Sequence, residues 1–379
     1  MRIMIANSGS SSLKLSIIED DDITAKKGNF AIPDRGLLKT QLRQFLQEAG
    51  PLDAVAHRIV HGGSLYRESL IVDKEKRAEL QSLSELAPLH NPVALEMMDV
   101  IGEELLGVQT VACFDTAFHK NLPKKEYTYA IPEDISRRYG IRRFGFHGLS
   151  CTWSSREAKK IFHAKNYDRL IICHIGAGAS ITAVRKGRSV ATTMGYTPLE
   201  GLIMATRSGD IDPGIIFFLA KRGYTVTDIE EILDKRSGLA ALVPGSQGDM
   251  LHVLELFAKD DPTALMAVDK YTDKIAGEIA ALAVTLSGLG SLVFTGGIGE
   301  GSPLIRQLVA EKIGFLGLEI DKTKNFSYQG GTLLISEDSS KIEVAVAEAR
   351  EDLVMAAEAR SLIQSAPGQT AELTDDKGH

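Results

Sequence analysis

Cysteine is scarce in this chain. Three occur in 379 residues, Cys113, Cys151 and Cys173. None belongs to a CxxC pair, so neither a disulfide framework nor a thiolate metal site is indicated, and each is expected to pack. A reducing compartment fits, and the cytoplasm is the expected location. Long apolar runs are missing too: none approaches the ~20 residues that a membrane span requires. The first residues read as a strand running into a polar loop, and not as a secretory leader. Positive charge is in deficit. The net charge is −7, which argues against broad binding to nucleic acid or an anionic membrane. Any anionic substrate must therefore meet local positive charge. Several motifs are absent as well. There is no GxxxxGKS/T phosphate loop, no HExxH and no EF-hand loop. Gly176 and Gly178 begin a GxGxxG pattern, but Ile181 stands where the third glycine would be.

What is present begins at the N-terminus. Ile3 to Ala6 form an apolar run, and Leu13, Leu15 and Ile17 alternate with Lys14 and Ser16. That is strand, turn, strand. The turn, Asn7-Ser-Gly9-Ser10-Ser-Ser12, is small and polar, and such a turn aims N–H groups and hydroxyls at one spot, as phosphate sites do. A hairpin that binds nothing is the competing reading. The phosphate reading gains from a second copy. Leu170 to Ile175, the turn Gly176-Ala-Gly178, and Ala179 to Val184 repeat the layout, a little under half the chain further on. Each copy then has a polar turn and a third strand. A repeated three-strand unit implies a duplicated α/β fold whose halves face a nucleotide cleft.

The length favours two domains. Residues 36–47 read as a helix. Asp53 to Gly63 reads as a strand that delivers Arg58 to a glycine turn. Asn91-Pro92 opens a helix with Val93, Met97, Val100 and Ile101 on its apolar face. Val108 to Phe114 is a buried strand with Asp115 at its C-terminal end, which is the ligand end of a parallel sheet. Asp261-Pro262 starts a long helix through Leu265, Val268, Ile275, Ile279, Leu282 and Leu286, and Ser287-Gly288 stops it. Residues 351–363 form the last helix. From Ser365 the composition becomes that of a frayed tail.

These residues carry a resemblance to the acetate kinase family. It rests on Asn7-Ser-Gly-Ser-Ser-Ser-Leu-Lys14, His57-Arg-Ile-Val-His-Gly-Gly63, Ala87-Pro-Leu-His-Asn-Pro92 and Phe114-Asp-Thr-Ala-Phe-His119. Further motifs are Arg143-Phe-Gly-Phe-His-Gly148, Thr197-Pro-Leu-Glu-Gly201, Thr206-Arg-Ser-Gly-Asp-Ile-Asp-Pro213 and Gly296-Gly-Ile-Gly-Glu300. They occur in the family's order from residue 3 to about 353. The resemblance implies two duplicated ribonuclease-H-like domains of the actin, sugar-kinase and Hsp70 type. It places residues 1–117, completed by a C-terminal helix at about 354–364, in the first domain, and 118–353 in a nucleotide-binding second domain. It also implies a homodimer, and reversible phosphoryl transfer from ATP to acetate with Mg2+ or Mn2+.

The chemistry can be argued beside the resemblance. A carboxylate acceptor has a pKa of about 4 to 5 and is already ionised near neutral pH, so no general base is needed. What is needed is a carboxylate clamp, positive charge on the transferring phosphoryl group, and a metal. Arg58 and Arg207 suit this and match the family's active-site arginines. A structural ion pair is the alternative for each. His147 matches the family's phosphoryl-stabilising histidine, with a hydrogen-bonded core histidine as alternative. Asp115 would be a base in an alcohol kinase; here it orients an arginine or the metal, or caps a turn. By resemblance, Asn7, Ser10, Ser12 and Lys14 form the first phosphate loop. His174, Gly176, Gly178, Ser180, Asp249, Gly296, Gly297, Ile298, Gly299 and Glu300 line the nucleotide side. Val60, Leu89, Phe146 and Pro198 match the apolar pocket for the acetate methyl group. Asn7 and Glu351 fall to the metal, with a solvated helix-start acid as the other reading of Glu351.

The departures from the family pattern cluster on the nucleotide side. Ala177 replaces a usual Asn, Ala179 a Ser, and Leu251 an Arg beside the adenosine. Cys151 stands where a His is common. Ala347-Glu348-Ala349-Arg350 replaces the stretch that usually contains Pro-Thr-Asn. A propionate or other short-chain carboxylate kinase, a kinase using pyrophosphate as donor, and a same-fold protein without turnover remain as alternatives. The last predicts erosion of Arg58, His147 and Arg207, and all three are present.

Overall fold

The structure is a computed structural model that describes residues 1–9, 12–32, 35–88 and 90–365. Ser10, Leu89 and the tail beyond Ser365 lie outside the described residues. The chain divides into two compact units. One is Met1–Ala117 with the segment from Arg350 onward, and the other is Phe118–Ala349. The divide falls ahead of Arg350, so the whole helix Glu351–Ser365 belongs to the first unit.

The first unit is built on a six-stranded mixed sheet. Its strands are β1 (Ile3–Ser8), β2 (Ser12–Ile18), β3 (Thr24–Ala31), β4 (Ala54–Ile59), β5 (Leu70–Ile71) and β6 (Gln109–Phe114), in the order β3-β2-β1-β4-β6-β5. The hairpin β1–β2 and the pair β2–β3 are antiparallel, while β1–β4 and β4–β6 are parallel. The short β5 closes the edge antiparallel to β6. One side packs the helices Arg35–Ala49 and Asn91–Glu104 against Met4, Leu13, Leu15, Ile17 and Val55. Burying each such aliphatic side chain is worth about 1.5–3 kcal/mol. The helix Asn91–Glu104 buries Ala94, Leu95, Met97, Met98 and Ile101, and leaves Val93 and Val100 only half-buried. Its buried face is therefore rotated from the one expected, because it covers both β4 and the helix neighbouring it.

The second unit repeats the design. Its strands are β7 (Leu170–Ile175), β8 (Ala179–Arg185), β9 (Arg188–Thr192), β10 (Ser291–Thr295), β11 (Thr332–Leu334) and β12 (Glu343–Ala347). Read from β9, the order β9-β8-β7-β10-β12-β11 reproduces the first sheet strand for strand. The directions agree as well: antiparallel β7–β8 and β8–β9, parallel β7–β10 and β10–β12, antiparallel β11–β12. This is the duplicated α/β fold. The helix Pro262–Leu286 packs on β8 with Val268, Ile275, Ile279, Leu282 and Leu286 buried, while Leu265 stays exposed. Asp261 caps it by accepting from Thr263 N at 3.0 Å and Ala264 N at 2.9 Å. Ser287 ends it in the left-handed conformation.

The three cysteines are buried and unbridged. Among the described residues no helix is long and apolar enough to cross a membrane.

Candidate active site

In the first unit, parallel pairing sets Ala6 beside His57 and Arg58 beside Cys113. Asn7, Arg58 and Asp115 therefore emerge together at the C-terminal ends of β1, β4 and β6. Asp115 is 1% exposed. Both its carboxylate oxygens accept from Arg58: Nε lies 3.0 and 3.2 Å from the two, and Nη2 lies 2.6 Å from Oδ2. Arg58 Nη1 donates to Asn7 Oδ1 at 3.2 Å. Glu351, the first residue of the last helix, holds a carboxylate oxygen 3.9 Å from Arg58 Nε. Burial lowers the affinity of Arg58 for its proton, but the charges of Asp115 and Glu351 outweigh this and hold its pKa well above the ordinary value. Burial pushes the Glu351 carboxyl up, Arg58 pulls it down, Asp115 and Asp352 raise it, and Lys14 lowers it. The net direction is upward. Glu351 is thus a buried carboxyl that faces Arg58 on one side and the acids Asp115 and Asp352 on the other.

Arg350 steadies this helix start. Its Nε and Nη2 donate to the two oxygens of Asp352 at 2.9 and 3.0 Å, and Nη2 also reaches Thr24 Oγ1 at 3.0 Å. The sequence offered no signal for that role beyond an arginine two residues ahead of an acid. Lys14 faces Asn7 across the hairpin and is exposed. Val60, directly after β4, is buried.

In the second unit the turn after β7 is the centre. A Cβ built on Gly178 would stand 3.4 Å from His147 Nε2 and 3.5 Å from Arg207 Nη1. One built on Gly176 would stand 3.6 Å from Gly297 N and 3.9 Å from His174 Nε2. Two glycines thus leave room where an imidazole, a guanidinium, a second imidazole and a helix start converge. His147 and His174 stack, with ring centroids 4.1 Å apart and planes 21° apart. Each ring is fixed at Nδ1 by a serine hydroxyl, Ser180 at 3.0 Å for His147 and Ser150 at 2.8 Å for His174. Their Nε2 atoms face the turn. His147 has φ +55° as the residue before the helix Gly148–Ile161, a conformation that a non-glycine residue holds only when its surroundings impose it. His119 supplies part of that constraint by bonding the Phe146 carbonyl at 2.9 Å. Ser150 and His119 were not identified as site residues from sequence. Ser150 lies three residues beyond His147, one helical turn on, which was the available signal.

Arg207 is seated by Pro198 O, to which Nη1 donates at 3.3 Å. Burial lowers its pKa against the opposing charge of Asp234. Ala205 N donates to Ala177 O at 3.1 Å, which ties the Arg207 loop to the glycine turn.

Backbone donors are fewer than the turn reading assumes. Gly9 N donates to Ser12 O at 2.8 Å and Gly176 N to Gly178 O at 3.0 Å. Gly296 N is taken by the carboxylate of Glu300 at 2.9 Å, which also accepts from Ala349 N at 3.0 Å. Glu300 thus turns back onto its own short helix, Gly296–Gly301. Asp249 likewise caps the helix Met250–Phe257, accepting from Leu251 N at 3.0 Å, while the Leu251 side chain is 69% exposed. Among the described residues no three His, Cys, Asp or Glu side chains group as a ready metal cage.

Comparison with known proteins identifies the family and the fold. The model of the Acetokinase family matches residues 36–357. The acetate kinase of Thermotoga maritima is 38% identical, over 96% of this chain and 99% of its own length. Among solved structures, the acetate kinase of Porphyromonas gingivalis superposes with a TM-score of 0.85 at 31% identity, covering 96% of this chain and 99% of that one. A propionate kinase from Francisella tularensis superposes with a TM-score of 0.87 at 33% identity, covering 94% and 98%.

Proposed function

The chain belongs to the acetokinase family, and on that premise we propose that it transfers a phosphoryl group reversibly from ATP to acetate by direct in-line attack, giving acetyl phosphate and ADP. The observation that carries this reading is the state of Asp115. An alcohol kinase needs a carboxylate free to take a hydroxyl proton. Here both oxygens of the acid at that place are engaged by Arg58, which supports an acceptor that arrives already ionised.

In this reading Arg58 clamps the acceptor carboxylate, and Asp115 holds the guanidinium in position. His147 Nε2 and Arg207 Nη1 meet the charge that spreads over the phosphoryl oxygens in the transition state. Val60 in the first unit and Phe146 and Pro198 in the second are the apolar side chains assigned to the acetate methyl group, with Leu89 assigned by resemblance alone. Gly176, Gly178 and the start of Gly296–Gly301 allow close approach of the nucleotide. Glu351 and Asn7 offer oxygen donors to Mg2+, which takes one or two protein carboxylates together with substrate phosphates. When bound, the metal would neutralise β- and γ-phosphate charge. The protein works in the cytoplasm as a homodimer. Support for the dimer comes from the helix Gly214–Lys221, which exposes Ile215, Ile216, Phe217 and Phe218 side by side, a density of apolar surface that a monomer rarely leaves uncovered.

A hydroxamate assay of acyl phosphate formation tests the function, run over acetate, propionate and butyrate with ATP, GTP and pyrophosphate. Acetate with ATP should give the highest kcat/KM. Phosphorylation of an alcohol without acyl phosphate formation would overturn the reading.

A further inference from the structure

Loop 192–201 carries Pro198, and a cluster behind it has no part in the roles above. Arg143 Nη1 gathers three successive carbonyls, Thr192 at 3.2 Å, Thr193 at 2.8 Å and Met194 at 3.1 Å. Its Nη2 pairs with the Glu200 carboxylate. The Tyr129 hydroxyl donates to the other oxygen of that carboxylate and accepts from Tyr196 N at 2.9 Å. The Arg143 guanidinium also lies 5.5 Å from the Tyr129 ring centroid. The two ends of the loop are thus drawn to one point. Gly195 makes this possible, because any Cβ there would overlap both Glu200 Oε2 and the Tyr129 hydroxyl.

The cluster reaches the candidate site by two routes. Arg143 begins the segment that ends in His147, and Phe144 N donates to Gly195 O at 2.9 Å, so the histidine segment and the proline loop are laced together. At the far side Pro198 O receives Arg207 Nη1. Shifting the loop therefore moves the Pro198 ring and the seat of Arg207 at once.

We propose that Tyr129, Glu200 and Arg143 are positioning residues that clasp the Thr192–Gly201 loop and so set the fit of the acyl substrate. The proposal rests on the reading of Phe146 and Pro198 as acyl-pocket walls. None of the three touches the reacting atoms. Their effect is the distance at which Pro198 stands from the acyl group, and that distance decides how well a methyl is preferred to an ethyl.

Tyr129→Phe removes one hydroxyl and keeps the ring. Tyr129→Phe should raise the KM for acetate by about three- to tenfold and shrink the acetate-to-propionate ratio of kcat/KM by a similar factor, part of the roughly 10- to 200-fold that one methylene commands. KM for ATP and the thermal midpoint should stay near wild type. Glu200→Gln keeps the shape and an acceptor for Arg143 Nη2 but turns its NH2 towards the Tyr129 hydroxyl oxygen, and should give a smaller change of the same kind than Glu200→Ala. If Tyr129→Phe is insoluble, the Glu200 pair carries the test alone. Pro198→Ala, which alters the wall itself, separates the two levels of the argument. If Pro198→Ala narrows the ratio and neither Tyr129→Phe nor Glu200→Ala does, the clasp is refuted and the pocket stands. If Pro198→Ala leaves acetate KM and the ratio unchanged, the pocket reading falls and the clasp falls with it. A fall in kcat and a rise in ATP KM in equal measure, with the ratio intact, would mark the cluster as general scaffolding and also overturn the proposal.

Discussion

Replacing Asp115 with Asn tests the acceptor chemistry and the packing together. The wild-type carboxylate takes three contacts from Arg58 and is almost fully buried. Asparagine keeps one acceptor and turns an NH2 group against a guanidinium that can only donate. Removing one partner of a buried ion pair costs about 3–5 kcal/mol. Glu351, 3.9 Å from Arg58 on the other side, returns part of this, because a second unit charge near 4 Å is worth at most about 4 kcal/mol at an effective dielectric near 20. Arg58 side-chain exposure of 21% reduces the cost further. A net loss of about 2–3 kcal/mol in unfolding free energy is expected. The guanidinium is then drawn towards Glu351 and leaves the acceptor, so kcat should fall by about a hundredfold, part of what a phosphoryl-transfer arginine contributes. The measurements are urea unfolding and acyl phosphate formation across pH. An ionised acceptor predicts that kcat has no acid limb between about pH 6 and 8 that belongs to Asp115. A limb in that range that vanishes in Asp115→Asn, with stability unchanged, would refute the reasoning and return an alcohol acceptor.

Three further outcomes are expected. Arg207→Ala should lower kcat by about a thousandfold or more with little loss of stability, since burial already opposes its charge; activity within tenfold of wild type would remove it from the site. His57 is buried with neither ring nitrogen bonded, and burial lowers its pKa from 6.5 to about 4. The unfolded chain then binds the extra proton first, so the stability from neutral His57 is complete above about pH 6.5 and is lost as pH falls towards 4, by about 2 kcal/mol between pH 7.5 and 5. Urea midpoints of wild type and His57→Leu should diverge over that range, and parallel curves would contradict the depressed pKa. Ala177→Asn should tighten ADP binding, by about three- to tenfold for one regained hydrogen bond to a phosphate; calorimetric titration showing no gain would mean that Ala177 faces away from the nucleotide.

Much of the architecture was legible because strand alternation and apolar runs repeat. Ile3 to Ser16 and Leu170 to Val184 share one pattern, and the two sheets share one topology. The end of β6 was legible for the same reason, since Asp115 stands directly beyond an apolar strand, whereas β4 stops at Ile59, short of the Gly63 to which the apolar pattern carried it. What sequence could not reveal is where individual donors go. Gly9, Gly176 and Gly296 each looked like a phosphate donor, yet each N–H is satisfied within the protein. Residue type specifies that a turn forms and leaves open which way its amides face. Glu300 and Asp249 illustrate the same limit, because acids near helix starts serve their own backbone as readily as a ligand. The stacked histidines were also invisible, since His147 and His174 meet only through the placement of Gly148–Ile161 on β7.

The duplication explains why the two units do different chemistry on one scaffold. Strand register makes the positions comparable. Ile3 pairs with Ala54 in the first sheet as Leu170 pairs with Ser291 in the second, and Ala54 pairs with Gln109 as Ser291 pairs with Glu343. Counting outward, Asn7 corresponds to His174, Arg58 to Thr295 and Asp115 to Ala349. The first copy therefore fills its sheet end with a guanidinium and a carboxylate that neutralise each other, and adds Glu351. The second copy has no charge at the two equivalent places. Thr295 and Ala349 instead flank the short helix Gly296–Gly301, whose Glu300 is turned inward onto Ala349 N. Positive charge enters the second copy from outside the sheet, on Arg207, and it converges with the His147 imidazole on Gly178. A sheet end that has lost the arginine–acid pair and is bordered by an imidazole and a guanidinium suits the polyanionic nucleotide. One closed by an arginine–acid pair suits a single carboxylate and a metal. The roles proposed for the two copies thus follow from three register positions and what replaced them.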